Sequence, residues 1–213
     1  MPTPPRDTAH FSLEYRDKQL LPAFQQAYGE FIRQFGQTEN TLTFRLEQFV
    51  LRLLGERDLQ KDIVRALLGS RRTPEIANAT KLCLKAAIKA GSDFPKESLE
   101  NVSVLFAQVA EIRFLRDRTA HYAIHPWLRS GENAYFRTLN RYTVNDLERT
   151  EEILFQIEDL EAATEDLKAI CNWSMFVLNL QIPDAPIELG RQPSWQYKPS
   201  SLIRTPYQEL PYD

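Results

Sequence analysis

Histidine, cysteine and glycine are all scarce in this chain, with 3, 2 and 7 copies among 213 residues. Two cysteines, Cys83 and Cys171, cannot build a disulfide framework, and the absence of a Cys-x-x-Cys pair or a Cys/His cluster argues against structural zinc. Both read as small buried hydrophobes on helices. No apolar run approaches the ~18 residues that a bilayer-spanning helix needs, and Met1-Pro2-Thr3-Pro4-Pro5-Arg6-Asp7 lacks the apolar stretch of a signal peptide. The expectation is a cytoplasmic protein with no membrane partner. Also missing are the Gly-x4-Gly-Lys-Ser/Thr loop, the Gly-x-Ser-x-Gly elbow and the Gly-x-Gly-x-x-Gly turn, which disfavours nucleotide-hydrolysing, α/β-hydrolase and dinucleotide-binding readings. Neither sign of charge dominates: 26 basic against 29 acidic side chains leave a formal net charge of −3. Any contact with nucleic acid therefore needs a local basic face.

What is present is a core-forming, helix-rich composition, 43% hydrophobic and 26% charged. Arginine outnumbers lysine 18 to 8, a bias suited to planar recognition of carboxylate or phosphate. Apolar residues from Leu20 to Leu178 recur at three- and four-residue steps, so the fold class expected is all-α. One helix carries Phe24, Tyr28, Phe31 and Phe35 and should stop at Gly36. A second carries Leu42, Leu46, Phe49, Leu53 and Leu54 and stops at Gly55, followed by a shorter one from about Asp58 to Gly69. Thr73-Pro74-Glu75 opens the next, which ends at Gly91. Pro95 opens a long helix to about Tyr122, after which Pro126 and Gly131 mark an irregular link. Tyr135 to Tyr142 suits a short strand pair, and Thr143-Val144-Asn145-Asp146 caps a final long helix with the stripe Leu154, Ile157, Leu160, Thr164, Leu167, Cys171, Ser174 and Leu178. Six of the 13 prolines follow Leu180, so the end of the chain should be an extended tail bearing Trp195, Tyr197, Tyr207 and Tyr212. That tail is either loose or docked with its aromatics in pockets. The organisation expected is an N-terminal segment over 1–19, a helical domain over 20–180 and the tail over 181–213.

The stretch from Glu111 to His121 carries the chemistry. Leu105, Val109, Ile112 and Arg116 follow at steps of four, three and four, so Arg116 stands where the apolar stripe calls for another core residue. A second row runs Phe106, Ala110, Phe114, Asp117 and His121. Both rows begin apolar and end polar at the same end of one helix, as expected where that end meets a polar cleft or a subunit interface. Asp117 and His121 are spaced i, i+4, so the carboxylate can accept a hydrogen bond from the imidazole and fix its tautomer. Arg116 lies on the adjacent row and can reach an anion that His121 also touches. A histidine that moves a proton beside an arginine that holds developing negative charge suits phosphoryl chemistry.

Arg116-Asp117-Arg118-Thr119-Ala120-His121 resembles the Arg-x4-6-His motif of the HEPN superfamily, in which Asn, Asp or His commonly follows the arginine. The resemblance spans roughly Pro95 to Leu178 in its order of helix, motif, link and returning helix. It implies an all-helical bundle and a metal-independent endoribonuclease whose cleft forms at a homodimer interface, often in toxin–antitoxin or antiphage systems. Arg116, Asp117 and His121 would be catalytic, no metal or cofactor would be required, and the partners would be an RNA substrate, a second copy and possible antitoxin proteins. Arg113, Arg118, Tyr122 and Arg129 could bind the RNA backbone, joined by Arg137 and Arg141. One subgroup carries a tyrosine two positions beyond the histidine; here Tyr122 stands one position beyond, and Ala123 occupies the expected site.

Other readings use the same residues. Asp117, His121 and His125 would form a facial metal set on an uninterrupted helix, but Pro126 should push His125 out of it. Arg71-Arg72 before a helix start could bind phosphate or be a solvated pair, and His10 is incidental. The alternative to an enzyme is a helical interaction or RNA-binding module in which Arg116 and His121 serve an interface.

Overall fold

A computed structural model describes residues 17–54, 63–64, 66–68, 72–91, 97–121, 123–128, 134–139, 151–178 and 192–206. Helix α1, Asp17–Leu54, runs 38 residues without a break. It passes straight through Gly36, where the sequence suggested a stop. A glycine ends a helix when it turns left-handed, and Gly36 does not: among the described glycines only Gly91 has a positive φ. The apolar stripe continues on both sides of it, with Phe31, Phe35, Leu42, Leu46 and Phe49 all buried, and that burial outweighs the ~1 kcal/mol helix penalty of one glycine.

Residues 63–64 and 66–68 are helical, with Val64 and Leu68 in the core. Helix α2, Thr73–Lys89, starts one position earlier than its side-chain signal, because the Arg72 backbone N–H donates to the Glu75 carboxylate at 3.0 Å and Pro74 occupies the first turn. Thr73 Oγ1 donates to the Glu39 carboxylate on α1, which ties the two helices together. Gly91, at φ 84°, turns the chain out after α2. Helix α3, Glu97–His121, has Glu97 and Glu100 in its first turn and Arg118 and His121 in its last, both matched to the helix dipole.

The last long helix, α4, is Ile157–Val177, and it begins well after the expected cap at Thr143 to Asp146, which lies outside the described residues. Residues Glu151–Phe155 form a strand instead, so Leu154 belongs to a sheet and not to a helix stripe. The Gln156 backbone N–H donates to the Asp159 carboxylate at 2.8 Å and closes the start of α4.

The body is helical, as the periodicity indicates, and it carries a sheet larger than the expected strand pair. Strands β1 (Ala123–Leu128), β2 (Ala134–Leu139), β3 (Glu151–Phe155) and β4 (Ile203–Pro206) form an antiparallel sheet in the order β1-β2-β3-β4. The link around Pro126 is thus strand β1, with Pro126 opposite Phe136; β1 lies at an edge of the sheet, where a missing N–H is tolerated. Phe136 and Phe155 are cross-strand partners on the buried face, and Phe24 of α1 stacks on Phe136 with ring centroids 3.9 Å apart. The tail is docked on the body of the chain over the described residues. Trp195 meets the edge of the Trp173 ring on α4, Tyr197 and Leu202 are buried, and β4 pairs with β3.

A candidate active site at the end of helix α3

The first row of α3 behaves as its spacing demands: Leu105, Val109 and Ile112 are buried, and Arg116 emerges one turn later with a third of its side chain exposed. The second row departs from expectation. Phe106 is buried, but Ala110 already faces solvent, Phe114 and Asp117 are partly exposed and His121 is exposed. The polar end of α3 is therefore a surface feature with one flank against α1.

Two α1 side chains define that flank. The Arg116 guanidinium lies over the Phe35 ring, 5.4 Å from its centroid, a cation–π placement that fixes the position of the charge. One turn further along α3, the Tyr28 hydroxyl donates to the Thr119 carbonyl oxygen at 3.1 Å. The last carbonyls of a helix have no intrahelical donor, so Tyr28 caps from α1 what α3 cannot cap itself. Burial pushes the Tyr28 phenol above its ordinary value, and the Arg116 charge opposes that shift. Tyr28 is held in turn by Phe24, whose ring lies parallel to it at 5.8 Å. From sequence, Tyr28 and Phe35 were legible only as members of an apolar face. The clue available was a hydroxyl on a stripe otherwise made of phenylalanines.

Asp117 does not meet His121 as its spacing suggests. Its Oδ1 accepts from Arg116 Nη1 at 2.7 Å, and its Oδ2 lies 3.3 Å from Arg113 Nε, so both carboxylate oxygens are taken by arginines. The physical reason is charge: two guanidiniums within reach outcompete an imidazole for one carboxylate. Arg118 points its guanidinium at the Phe114 ring, 5.2 Å from the centroid. The structure thus gathers Arg113, Arg116 and Asp117 into one cluster, with Arg118 and His121 on the same last turns of α3. Tyr122 and Arg129, together with Arg71, Arg141 and His10, lie outside the residues whose structure is described.

His125 lies in strand β1, opposite Arg137, so it does not share a helix face with Asp117 and His121. Among the described residues no group of three or more potential metal ligands occurs, and no helix is long and apolar enough to cross a membrane. Cys83 and Cys171 are free and half-buried; the Cys171 thiol donates to Thr38 Oγ1 on α1 at 3.3 Å.

A groove of about 620 Å³ between α1 and α4 contains none of these residues. Its rim holds Glu30, Glu158, Glu161 and Glu165, with Lys168 paired to Glu165 at 2.7 Å, a sign of charge that would repel a phosphate backbone. The arginines at the end of α3, Arg113, Arg116 and Arg118, take no part in lining it. No family model, no curated protein and no solved structure matches this chain.

Proposed function

We propose that this protein is a metal-independent endoribonuclease of HEPN type, acting on RNA in the cytoplasm at a cleft between two copies of the chain. The observation that carries the reading is Arg116. It flanks a buried row that runs on through Ile112, Leu115 and Thr119, sits on Phe35 with its guanidinium partly open to solvent, and stands five positions before an exposed histidine on the same helix end. An arginine so anchored can receive the negative charge that grows on a phosphate as it becomes pentavalent. His121 would take the proton from a ribose 2′-hydroxyl or deliver one to the departing 5′-oxygen. The nucleophile belongs to the substrate, so the chemistry asks for no metal. Arg113 and Arg118 would hold flanking phosphates, with Tyr122 and Arg129 as further candidates from sequence. A toxin or antiphage role, with an antitoxin as protein partner, follows from the same resemblance.

This mechanism fixes its own test. Incubated without divalent metal, the protein should convert a short RNA into fragments ending in 2′,3′-cyclic phosphate and beginning with 5′-hydroxyl, read by mass spectrometry. The same sequence as DNA should survive, because it lacks the attacking hydroxyl. Equal cutting of DNA would remove the 2′-hydroxyl mechanism. Sedimentation should find the chain as a dimer under the conditions that support cleavage.

A second reading is favoured by the engagement of Asp117 with Arg113 and Arg116 instead of His121. In it the helix end is a binding or assembly surface without catalysis. Separate substitution of Arg116 and His121 divides the two: an enzyme loses turnover while staying folded and dimeric, whereas a scaffold loses assembly or stability.

A further inference from the structure

The Asp117 carboxylate occupies the place that an anionic ligand of this helix end would need. Its two oxygens face two guanidiniums, Arg116 Nη1 at 2.7 Å and Arg113 Nε at 3.3 Å. That arrangement, two oxygens of one anionic group shared between neighbouring arginines, is the way a phosphodiester is gripped. The three side chains retain 31%, 33% and 38% of their exposure for Arg113, Arg116 and Asp117, so an oxyanion can reach them from solvent. Arg116 is held from behind by Phe35, and the end of α3 is held by the Tyr28 cap, so the arginine charge stays in place whichever anion pairs with it. Asp117 has no such anchor; its contacts here are the two arginines themselves. Pairs exposed to this degree contribute little net stability, which makes exchange of one anion for another cheap.

We propose that the Asp117 carboxylate is an internal surrogate for a backbone phosphate, masking Arg113 and Arg116 until a nucleic-acid phosphodiester displaces it. The proposal rests on the ribonuclease reading for the identity of the anion, and it adds a regulatory role for the acid of the motif. Asp117 sets a threshold against weak anions and is expelled by a ligand that brings several phosphates at once. It differs from a role in orienting His121, which would touch turnover and leave binding alone.

The test separates binding from chemistry by using a fluorescein-labelled oligonucleotide with 2′-O-methyl groups throughout, which cannot be cut by 2′-oxygen attack. Affinity is measured by anisotropy on the full chain for the wild type, Asp117→Asn, Asp117→Glu and Glu111→Gln. Glu111 lies on the same helix, exposed, and controls for the bare loss of one negative charge. Asp117→Asn should tighten binding about threefold, the size expected when one exposed ion pair no longer competes. Asp117→Glu, which keeps a carboxylate beside both arginines on a side chain one methylene longer, should stay at the wild-type value. Unchanged or weaker binding by Asp117→Asn, or an equal gain from Glu111→Gln, overturns the proposal. If Asp117→Asn binds tighter but the wild type cuts no RNA, the surrogate stands and the ribonuclease reading falls. If RNA is cut and Asp117→Asn gains no affinity, the ribonuclease stands and the surrogate falls.

Discussion

Tyr28 shows how much of a site can hang on one hydroxyl placed on an apolar stripe. Its phenol closes the end of α3 at the Thr119 carbonyl, beside the Arg116 charge. Because burial raises the phenol above its ordinary value of 10.0, the folded protein keeps this proton to a higher pH than the unfolded chain does. The associated stability is fully present below that ordinary value and is lost as pH rises from there through the folded-state value. Urea midpoints should therefore fall more as pH rises above about 10 for the wild type than for Tyr28→Phe, once their shared dependence on other groups is subtracted. At neutral pH Tyr28→Phe should cost about 1 kcal/mol for the missing hydrogen bond. Identical pH profiles would show that Tyr28 is an ordinary surface phenol. At this scale spacing drew attention to Arg116 and His121 but not to Tyr28 and Phe35, because a contact between residues 91 positions apart leaves no local pattern. It also misdirected Asp117, since i, i+4 spacing identifies who can meet and not which of several partners wins.

The helices show why some boundaries were legible and others were not. The start of α2 and the extent of α3 follow from strong local signals: Pro74 with Glu75, and Pro95 and Pro126 on either side of a long apolar stripe. Gly36 gave a false stop because glycine permits a left-handed turn without requiring one. Its position is helical, and a Cβ built there meets nothing within 4 Å. Gly36→Ala should accordingly stabilise the protein by about 0.5–1 kcal/mol, read as a higher urea midpoint with an unchanged slope. A loss of stability would mean that the helix does not run through this point. Glu151–Phe155 was misjudged for a different reason. Two glutamates and then Ile153-Leu154-Phe155 just ahead of a helix are ambiguous by period, and only pairing with β2 and with β4, about fifty residues later in the chain, decides it.

For the whole molecule, one buried acid joins the helical body to its tail. Asp166, 1% exposed on α4, accepts from the backbone N–H groups of Gln196 at 2.9 Å and Tyr197 at 3.0 Å and from Gln108 Nε2 of α3 at 2.7 Å. Composition left the tail either loose or docked; a carboxylate at the core, indistinguishable in sequence from its surface neighbours, helps to dock it, together with the Trp195–Trp173 contact and the pairing of β4 with β3. Asp166→Ala would take this acceptor from two buried donors, the Tyr197 N–H and Gln108 Nε2, which keeps the Tyr197 carbonyl, and from the part-buried Gln196 N–H, and should cost about 2–3 kcal/mol. Hydrogen exchange at the Gln196 and Tyr197 amides should accelerate in that variant, while persistent protection there would contradict the latch. Phe24 stacked on Phe136 of the sheet and the packing of α1 on α4 hold α1 in place, and Phe35 of α1 in turn holds Arg116. The central claim concerns what that braced end of α3 does, and one measurement addresses it most directly: cleavage of a labelled RNA by wild type, Arg116→Ala and His121→Ala, each first shown to be folded and of wild-type size. The account predicts that either substitution lowers the single-turnover rate by about 100-fold or more while the melting curve stays in place. Full activity in His121→Ala would contradict it.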